Sequence, residues 1–384
     1  MTTNFFGLTK WFSIISVLLL PSLRAQITLT ITQIPENSSH NIRLFFASSL
    51  NGWKADDPKF EFKETSDGVY SLTIPSGNQK IEYKITQGNW ESAETDVNGN
   101  GIPNRTLNHP DKKQTVELQV ERWSSPKEKK HTAASNVKIL SENFGIPQLK
   151  TTRKIWIYLP PDYETSKTKY PVIYMHDGQN LFDDFTSFSG EWRVDETMNA
   201  IFQETGKSAI VIGIDNGANK RLAEYSPWNN EAYKTTGEGD LYVAFLAKTL
   251  KPYIDRSYRT EKQASKTIIL GSSMGGLISL YACSKYPAAF GKAGMFSPAF
   301  WFVSQDLNQY LHTNKNKLEN SKFYFVAGKN EDETMVPEIE TVSQLLLKKS
   351  VPAKHIVVKI DEDGTHSEDY WKRELKASLI WLLK

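Results

Sequence analysis

Two patterns of apolar residues divide the chain. Between residues 26 and 123, short runs of alternating apolar and polar residues are separated by turn-forming residues, as in ITLTITQI, NIRLFFASS, KFEFKET, GVYSLTI, KIEYKIT and TVELQV. Alternation with a period of two predicts strands that bury one face. We therefore predict an antiparallel β-sandwich of about 100 residues.

Between residues 137 and 384, continuously apolar runs alternate with longer amphipathic segments such as residues 240–257 and 336–349. Strands buried on both faces of a parallel sheet are apolar throughout, and the segments between them have helical periodicity. We predict an α/β domain with a mostly parallel sheet. Its predicted strands are KIWIYL, PVIYMHD, SAIVIGID, TIILGSS, KAGMFS, KFYFVAG and HIVVKID.

Two segments fit neither pattern. Residues 124–136 are charged and lack apolar periodicity, so we predict a linker. Residues 1–25 contain an apolar run from Trp11 to Leu20, polar residues before it and Ala25 at the end. This order is typical of a signal peptide, and the run is shorter than the roughly 18 apolar residues of a membrane span. We predict export to the periplasm or the medium, without a membrane span.

Composition narrows the function classes. Hydrophobic residues make up 39% of the chain and charged residues 23%, as in soluble globular proteins. Without the predicted signal peptide, basic and acidic residues balance, so no attraction to nucleic acid is expected. The single cysteine, Cys283, lies in an apolar helical stretch and is predicted to be an inert core thiol.

We predict no cofactor and no bound metal. The stretch from Asp96 to Gly101 matches the opening of a calcium loop, but its twelfth position is Leu107, which cannot supply the bidentate carboxylate. The remaining histidines do not have zinc-ligand spacing.

The strongest chemical signal is the stretch from Gly271 to Gly276, GSSMGG, between an apolar strand and a helical segment. In this context G-x-S-x-G forms a nucleophile elbow, where glycines allow a strained turn that exposes the serine. We predict Ser273 as the nucleophile. The backbone N–H of the next residue, Met274, is then expected to contribute to an oxyanion hole.

A serine nucleophile needs a histidine base and an orienting acid. His366 follows the predicted strand HIVVKI, at the sheet edge that also carries Ser273, and is predicted to be the base. The acid is expected after KFYFVAG, where Glu331 and Asp332 are both candidates. Gln179, in the loop after PVIYMHD, is predicted to supply the second oxyanion N–H, and His176 is predicted to be structural.

The segments HDGQNLFD, EWRVDE, LKPYIDRSYRT, GSSMGG, FSPAFW and GTHSEDYW resemble the esterase family of α/β-hydrolases. This family includes esterase D, feruloyl and acetylxylan esterases, mycolyl transferases and enterochelin esterases, and the chain is most similar to the enterochelin-esterase-like branch. The resemblance implies that the acid lies three residues after Gly328, at Glu331. It also implies that Arg221 and Trp192 occupy substrate-side positions, although core packing fits Trp192 equally well.

Residues 26–123 resemble starch-binding modules, through LNGWKADD, IEYKITQGNWE and NGIPNR in that order. In such modules two tryptophans form a platform that stacks on sugar rings. The resemblance places this carbohydrate-binding pair at Trp53 and Trp90.

These observations predict an exported serine esterase that acts on a carboxylic ester, with a feruloyl or acetyl group on a carbohydrate as the favoured substrate. A polysaccharide is then the expected partner. An enterochelin-like siderophore lactone is the alternative substrate. A non-catalytic carbohydrate-binding protein on a hydrolase scaffold is the alternative of another class.

Overall fold

A computed structural model describes residues 26–36, 38–39, 42–66, 68–76, 80–99, 101–107, 113–124 and 130–384. The predicted signal peptide lies outside these residues. The chain divides into two compact units, and the division falls between residues 125 and 126 of the sequence. None of the helices in the described part of the chain combines the length and the apolar character of a membrane span.

The first unit consists of short strands. They are β1 (Gln26–Gln33), β2 (Leu44–Ser48), β3 (Glu61–Ser66), β4 (Val69–Pro75), β5 (Ile81–Thr86), β6 (Glu94–Thr95), β7 (Arg105–Leu107), β8 (Gln114–Gln119) and β9 (Arg122–Trp123). Seven strands are connected in the order β7-β5-β2-β3-β4-β1-β8, and β6 pairs with β9. The first residues of β3 pair with β2 and its later residues pair with β4, so this strand joins the two halves of the sandwich.

Alternation along these strands builds one core. In β1, Ile27, Leu29 and Ile31 are fully buried, and their neighbours on the other face are partly exposed. One pairing departs from the predicted antiparallel arrangement, because β8 runs parallel to β1. The turn residues between successive strands do not predict this pairing, because β1 and β8 are far apart in the sequence.

The second unit contains an eight-stranded sheet. Its strands are β10 (Val137–Ile146), β11 (Thr151–Tyr158), β12 (Val172–His176), β13 (Ile210–Ile214), β14 (Thr267–Ser272), β15 (Lys292–Phe296), β16 (Lys322–Gly328) and β17 (Ile356–Asp361). Their order is β10-β11-β13-β12-β14-β15-β16-β17. Strands β12 to β17 are parallel, whereas β10 pairs antiparallel with β11 and β11 pairs antiparallel with β13.

Helices cover both faces of this sheet, and each face has its own apolar core. They are α1 (Val194–Thr205), α2 (Arg221–Glu224), α3 (Gly239–Phe245), α4 (Lys251–Ser257), α5 (Met274–Lys285), α6 (Ser304–Thr313), α7 (Met335–Lys348) and α8 (Glu368–Leu382). A π-helical turn, Leu246–Leu250, joins α3 to α4, so the helix predicted over residues 240–257 is continuous.

The predicted linker differs from the structure at its end. The N–H of Thr132 donates to Asp183 over 3.1 Å, and the N–H of Ala134 donates to Asp195 over 2.7 Å. The ring of His131 also bonds to Asp183, over 2.8 Å. Residues 131–134 therefore belong to the second unit, and we call them the N-terminal arm.

Candidate active site

Ser273 stands between β14 and α5 in a strained conformation, with φ 55° and ψ −122°. Its N–H donates to the carbonyl of Phe296 over 2.9 Å, and its carbonyl accepts the N–H of Ala299 over 3.0 Å. A Cβ atom on Gly271 would lie 2.9 Å from the backbone of Gly275, so only glycine fits there. A positive φ in a non-glycine residue needs such support from its surroundings, and this is the geometry that the sequence motif predicts.

His366 and Glu331 form a direct pair. The distance between His366 Nδ1 and Glu331 Oε2 is 2.9 Å. The Glu331 side chain is 1% exposed, whereas that of His366 is 41% exposed. Because the carboxylate accepts the Nδ1 proton, the other ring nitrogen, Nε2, is left as the acceptor of the neutral imidazole.

Two further donors hold Glu331 in place. Its Oε1 atom accepts the N–H of Gly328 over 2.6 Å and the hydroxyl of Ser297 over 2.7 Å. The indole N–H of Trp371 donates to the same hydroxyl over 2.8 Å, and the Trp371 ring lies 5.1 Å from the His366 ring, edge to face. Ser297 was not predicted from the sequence. Trp371 lies in the motif GTHSEDYW, and no role was predicted for it.

Asp332, the other candidate acid, has a different position. Its Oδ1 atom accepts the N–H groups of Thr334 and Met335, over 2.7 and 2.8 Å. These bonds satisfy N–H groups at the start of α7. The structure thus places Asp332 at a helix end and Glu331 beside the histidine.

Sheet topology places these residues along one edge. Ser273, Ser297, Glu331 and His366 each follow one of the neighbouring parallel strands β14, β15, β16 and β17, whose carboxyl ends share an edge.

Within the described part of the chain, the Ser273 hydroxyl has no hydrogen-bond partner, so its bond to His366 is not formed here. Catalytic hydrogen bonds are often formed only when substrate is bound.

The two predicted oxyanion donors lie on loops that touch. Met274 is the first residue of α5, and Gln179 lies in the turn Gly178–Asn180 after β12. A Cβ atom on Gly275 would be 3.3 Å from His176 Cβ, which brings the β12 loop against the elbow. The role of the two backbone N–H groups as an oxyanion hole stays a prediction.

Arg221 is held in a two-point ion pair. Its Nε and Nη2 atoms donate to the two carboxylate oxygens of Asp177, over 2.7 and 2.8 Å, and Asn216 donates to the same carboxylate over 2.7 Å. Burial acts to raise the pKa of Asp177, but the charge and hydrogen bonds of Arg221 outweigh burial and lower it. Asp177 was not predicted, although it stands in the HDGQNLFD motif.

Trp192 has the packing role rather than the substrate-side role. Its side chain is 3% exposed and packs on Phe296 and Trp371, with ring centroids 5.1 and 5.6 Å away. A ring buried to this extent cannot contact a substrate without moving. It supports Trp371, which in turn contacts His366.

Two other residues with potentially reactive side chains, His176 and Cys283, are buried. His176 bonds to the hydroxyl of Tyr242 over 2.9 Å, and burial lowers its pKa to about 3, so it stays neutral. Burial also raises the pKa of the Cys283 thiol to about 12. Both are structural, as the sequence predicts.

Glu368 was not predicted as a site residue. Its carboxylate accepts the hydroxyl of Ser189 over 2.6 Å. Burial and, to a smaller extent, the charge of Asp177 raise its pKa to about 7, while the hydrogen bond from Ser189 and the charge of His366 act in the opposite direction. It lies two residues after His366 in the same motif, and this position is the signal that could have identified it.

In the first unit, Trp53 and Trp90 lie side by side. Their ring centroids are 6.2 Å apart, the planes are tilted by 40°, and both residues are partly exposed. Trp53 has a positive φ of 62° and follows Gly52, whose φ is 65°. A bulky residue in this conformation is uncommon because the backbone is strained. The turn that positions the Trp53 indole therefore costs conformational free energy.

Fold and site together define an α/β enzyme with a serine at a strand-to-helix elbow. A family model described as "Putative esterase" matches residues 146–382. The chain belongs to this esterase family, whose α/β fold and carboxylic ester hydrolase class the sequence predicted.

Individual relatives were found for parts of the chain. The protein YbbA of Bacillus subtilis, which is uncharacterized, is 25% identical over 242 residues, 60% of this chain and 92% of YbbA. An alpha-amylase of Niallia circulans is 39% identical over 92 residues, which are 23% of this chain and 7% of the amylase.

Solved structures support the fold. A ferulic acid esterase, 18% identical, has a TM-score of 0.50 over 65% of this chain and 98% of its own. An enterobactin esterase from Shigella flexneri, solved in the presence of enterobactin, is 17% identical. Its TM-score is 0.55, over 93% of this chain and 92% of its own.

Proposed function

We propose that this protein is an exported serine esterase that cleaves a carboxylic ester through an acyl-enzyme on Ser273. The observation that carries the proposal is the buried Glu331 carboxylate bonded to His366, on the sheet edge where Ser273 is held in a strained elbow. Export rests on the signal-peptide pattern of residues 1–25.

The proposed reaction proceeds in two halves. His366 Nε2 takes the proton of Ser273 Oγ as that oxygen attacks the ester carbonyl, and Glu331 stabilises the imidazolium. The N–H groups of Met274 and Gln179 donate to the oxyanion. The intermediate expels the alcohol, which receives the proton from His366. Water, deprotonated by His366, then attacks the acyl-enzyme and releases the acid and free Ser273.

The favoured substrate is an acyl group on a carbohydrate, of the feruloyl or acetyl type. Two observations support this choice over a ferric catecholate, which is strongly anionic. The first is that the charge of Arg221 is neutralised by Asp177, so this arginine offers no free positive charge to a catecholate. The second is the tryptophan pair of the first unit, since flat indole faces suit sugar rings.

A comparison of released acids tests the substrate class. We expect ferulate or acetate to be released from feruloylated or acetylated xylan with a higher kcat/KM than that for hydrolysis of enterobactin. Liquid chromatography of the products measures all three reactions. A higher kcat/KM for enterobactin would contradict the carbohydrate ester as substrate. It would favour the second candidate, a siderophore lactone, which the similarity in fold to an enterobactin esterase suggests.

The tryptophan pair gives a separate prediction. A Trp53→Ala, Trp90→Ala double variant should bind insoluble xylan or starch less well, because two stacking surfaces are removed. Turnover of p-nitrophenyl acetate should not change, since a binding site in a separate unit adds only local concentration of the polysaccharide. Pull-down on the polysaccharide and a colorimetric assay measure the two properties.

The matched control is Trp123→Phe in the same unit, whose side chain is buried in the core. This variant should keep its retention on polysaccharide. If the double variant retains full binding, or if it loses small-ester turnover, the tryptophan pair is not a sugar platform.

A further inference from the structure

Three carboxylates converge at the start of α1. Glu191 precedes the helix, and Asp195 and Glu196 lie in its first turn. Each contributes a carboxylate oxygen to a group in which all three atoms lie within 4.8 Å of one another. We call these residues the acidic cluster. It shares no residue with the proposed catalytic set.

One oxygen of each carboxylate in the acidic cluster is buried and receives no hydrogen bond from a described residue. Within the described residues, Glu191 Oε1, Asp195 Oδ1 and Glu196 Oε2 have no hydrogen-bond donor. Asp195 is 0% exposed and Glu191 is 5% exposed. A buried carboxylate oxygen without a partner is costly, and three such oxygens close together are more so.

Nearby groups orient the cluster without neutralising it. The N–H of Ala134, in the N-terminal arm, donates to Asp195 Oδ2 over 2.7 Å and leaves Oδ1 for another partner. Among the described residues, the recorded ion pair with the cluster is a long one, with Arg193 Nε 3.9 Å from Glu191 Oε2.

We propose that Glu191, Asp195 and Glu196 bind one divalent cation, and that Ca²⁺ is the preferred ion. Carboxylate oxygens are hard ligands, which excludes the thiolate and imidazole chemistry of typical zinc sites. Oxygens within 4.8 Å of one another reach the Ca²⁺–O distance of about 2.3–2.6 Å after small side-chain shifts. Mg²⁺ needs a tighter octahedron at about 2.0–2.1 Å.

The bound ion stabilises the surroundings of the site. Asp195 is bonded to the N-terminal arm, and Glu191 ends the loop of residues 183–191. This loop carries two exposed aromatic side chains, Phe185 and Phe188, and Ser189 in the loop bonds to Glu368. Cation binding therefore fixes a loop that reaches the neighbourhood of His366.

Calorimetric titration of the full mature chain with CaCl₂, after removal of metal with EDTA, tests the proposal. We expect one Ca²⁺ per chain. The melting temperature of the second unit should rise by about 5–10 °C at a Ca²⁺ concentration roughly 100-fold above the Kd. MgCl₂ should bind more weakly.

Glu196→Gln and Asp195→Asn should each weaken Ca²⁺ binding by about 100-fold or more, because changes to groups behind the ligands alone cost 10–100-fold. Glu196 is partly exposed, so its variant should fold even if that of Asp195 does not. Glu204→Gln, at the far end of α1, and Asp96→Asn, in the first unit, should bind Ca²⁺ like the parent. Absence of binding by the parent, or unchanged binding by a Glu191→Gln, Asp195→Asn, Glu196→Gln variant, would overturn the proposal.

Discussion

Replacement of Ser273 by alanine should reduce kcat for p-nitrophenyl acetate by roughly 10³–10⁶-fold, because no other hydroxyl stands at the strained elbow to form the acyl-enzyme. The fold should persist, since the backbone bonds of Ser273 to Phe296 and Ala299 do not involve its side chain. Steady-state kinetics measures the loss. A fluorophosphonate probe, which reacts with activated serines, should label the parent and not the variant.

The control is Ser272→Ala, one residue earlier, at the end of β14 and 6% exposed. It should retain most of the activity and the label. A Ser273→Ala variant that still turns over the ester would refute the nucleophile assignment. Failure of the probe to label the parent would favour the alternative class, a carbohydrate-binding protein on a hydrolase scaffold.

Glu331→Gln should reduce kcat by roughly 10²–10⁴-fold while the protein still folds. An amide keeps the shape of the side chain but removes the charge that stabilises the imidazolium. It also adds an N–H₂ group, which can reverse the tautomer of His366 that leaves Nε2 free. Activity on a small ester and a melting curve, recorded on the same preparation, separate catalysis from stability.

Asp332→Asn is the matched control, because its remaining oxygen can still accept the N–H groups at the start of α7. We expect its kcat to stay within about twofold of the parent. Equal losses in the two variants would show that the carboxylate bonded to His366 is not the orienting acid.

The apolar pattern was sufficient to predict most of the fold. Each apolar run that was predicted as a strand in the second unit is a strand, as expected for segments of a largely buried parallel sheet. Strand β10 was missed. It lies at the sheet edge with most of its residues exposed or half-buried, so no apolar alternation marks it. The parallel pairing of β8 with β1 was also unpredictable, since it depends on a contact between distant segments.

The site was predictable where local sequence determines local geometry. Ser273 is specified by its glycines and flanking elements, and His366 by its place after β17. The choice of Glu331 over Asp332 needed a family resemblance, because both are acidic residues on one loop. The role of Ser297 could not be predicted from the sequence. It depends on the hydrogen bond between its hydroxyl and Glu331, which forms only in the folded structure.

The acidic cluster was missed for a similar reason. Its residues have no known metal-ligand spacing, and acidic residues in the first turn of a helix are ordinary there. What distinguishes Glu191, Asp195 and Glu196 is the burial of oxygens that have no donor among the described residues, which only three-dimensional packing reveals.

The N-terminal arm limits where recombination can separate the two units of this protein without loss of stability. His131, Thr132 and Ala134 give their hydrogen bonds to Asp183 and Asp195 in the catalytic half. A crossover between residues 125 and 130 transfers that half with the arm attached. A crossover just before β10 removes the hydrogen bonds that the arm donates to two buried carboxylates. A crossover just before β10 should therefore give a less stable enzyme. Selection should favour exchange of the sandwich at a boundary that precedes the arm.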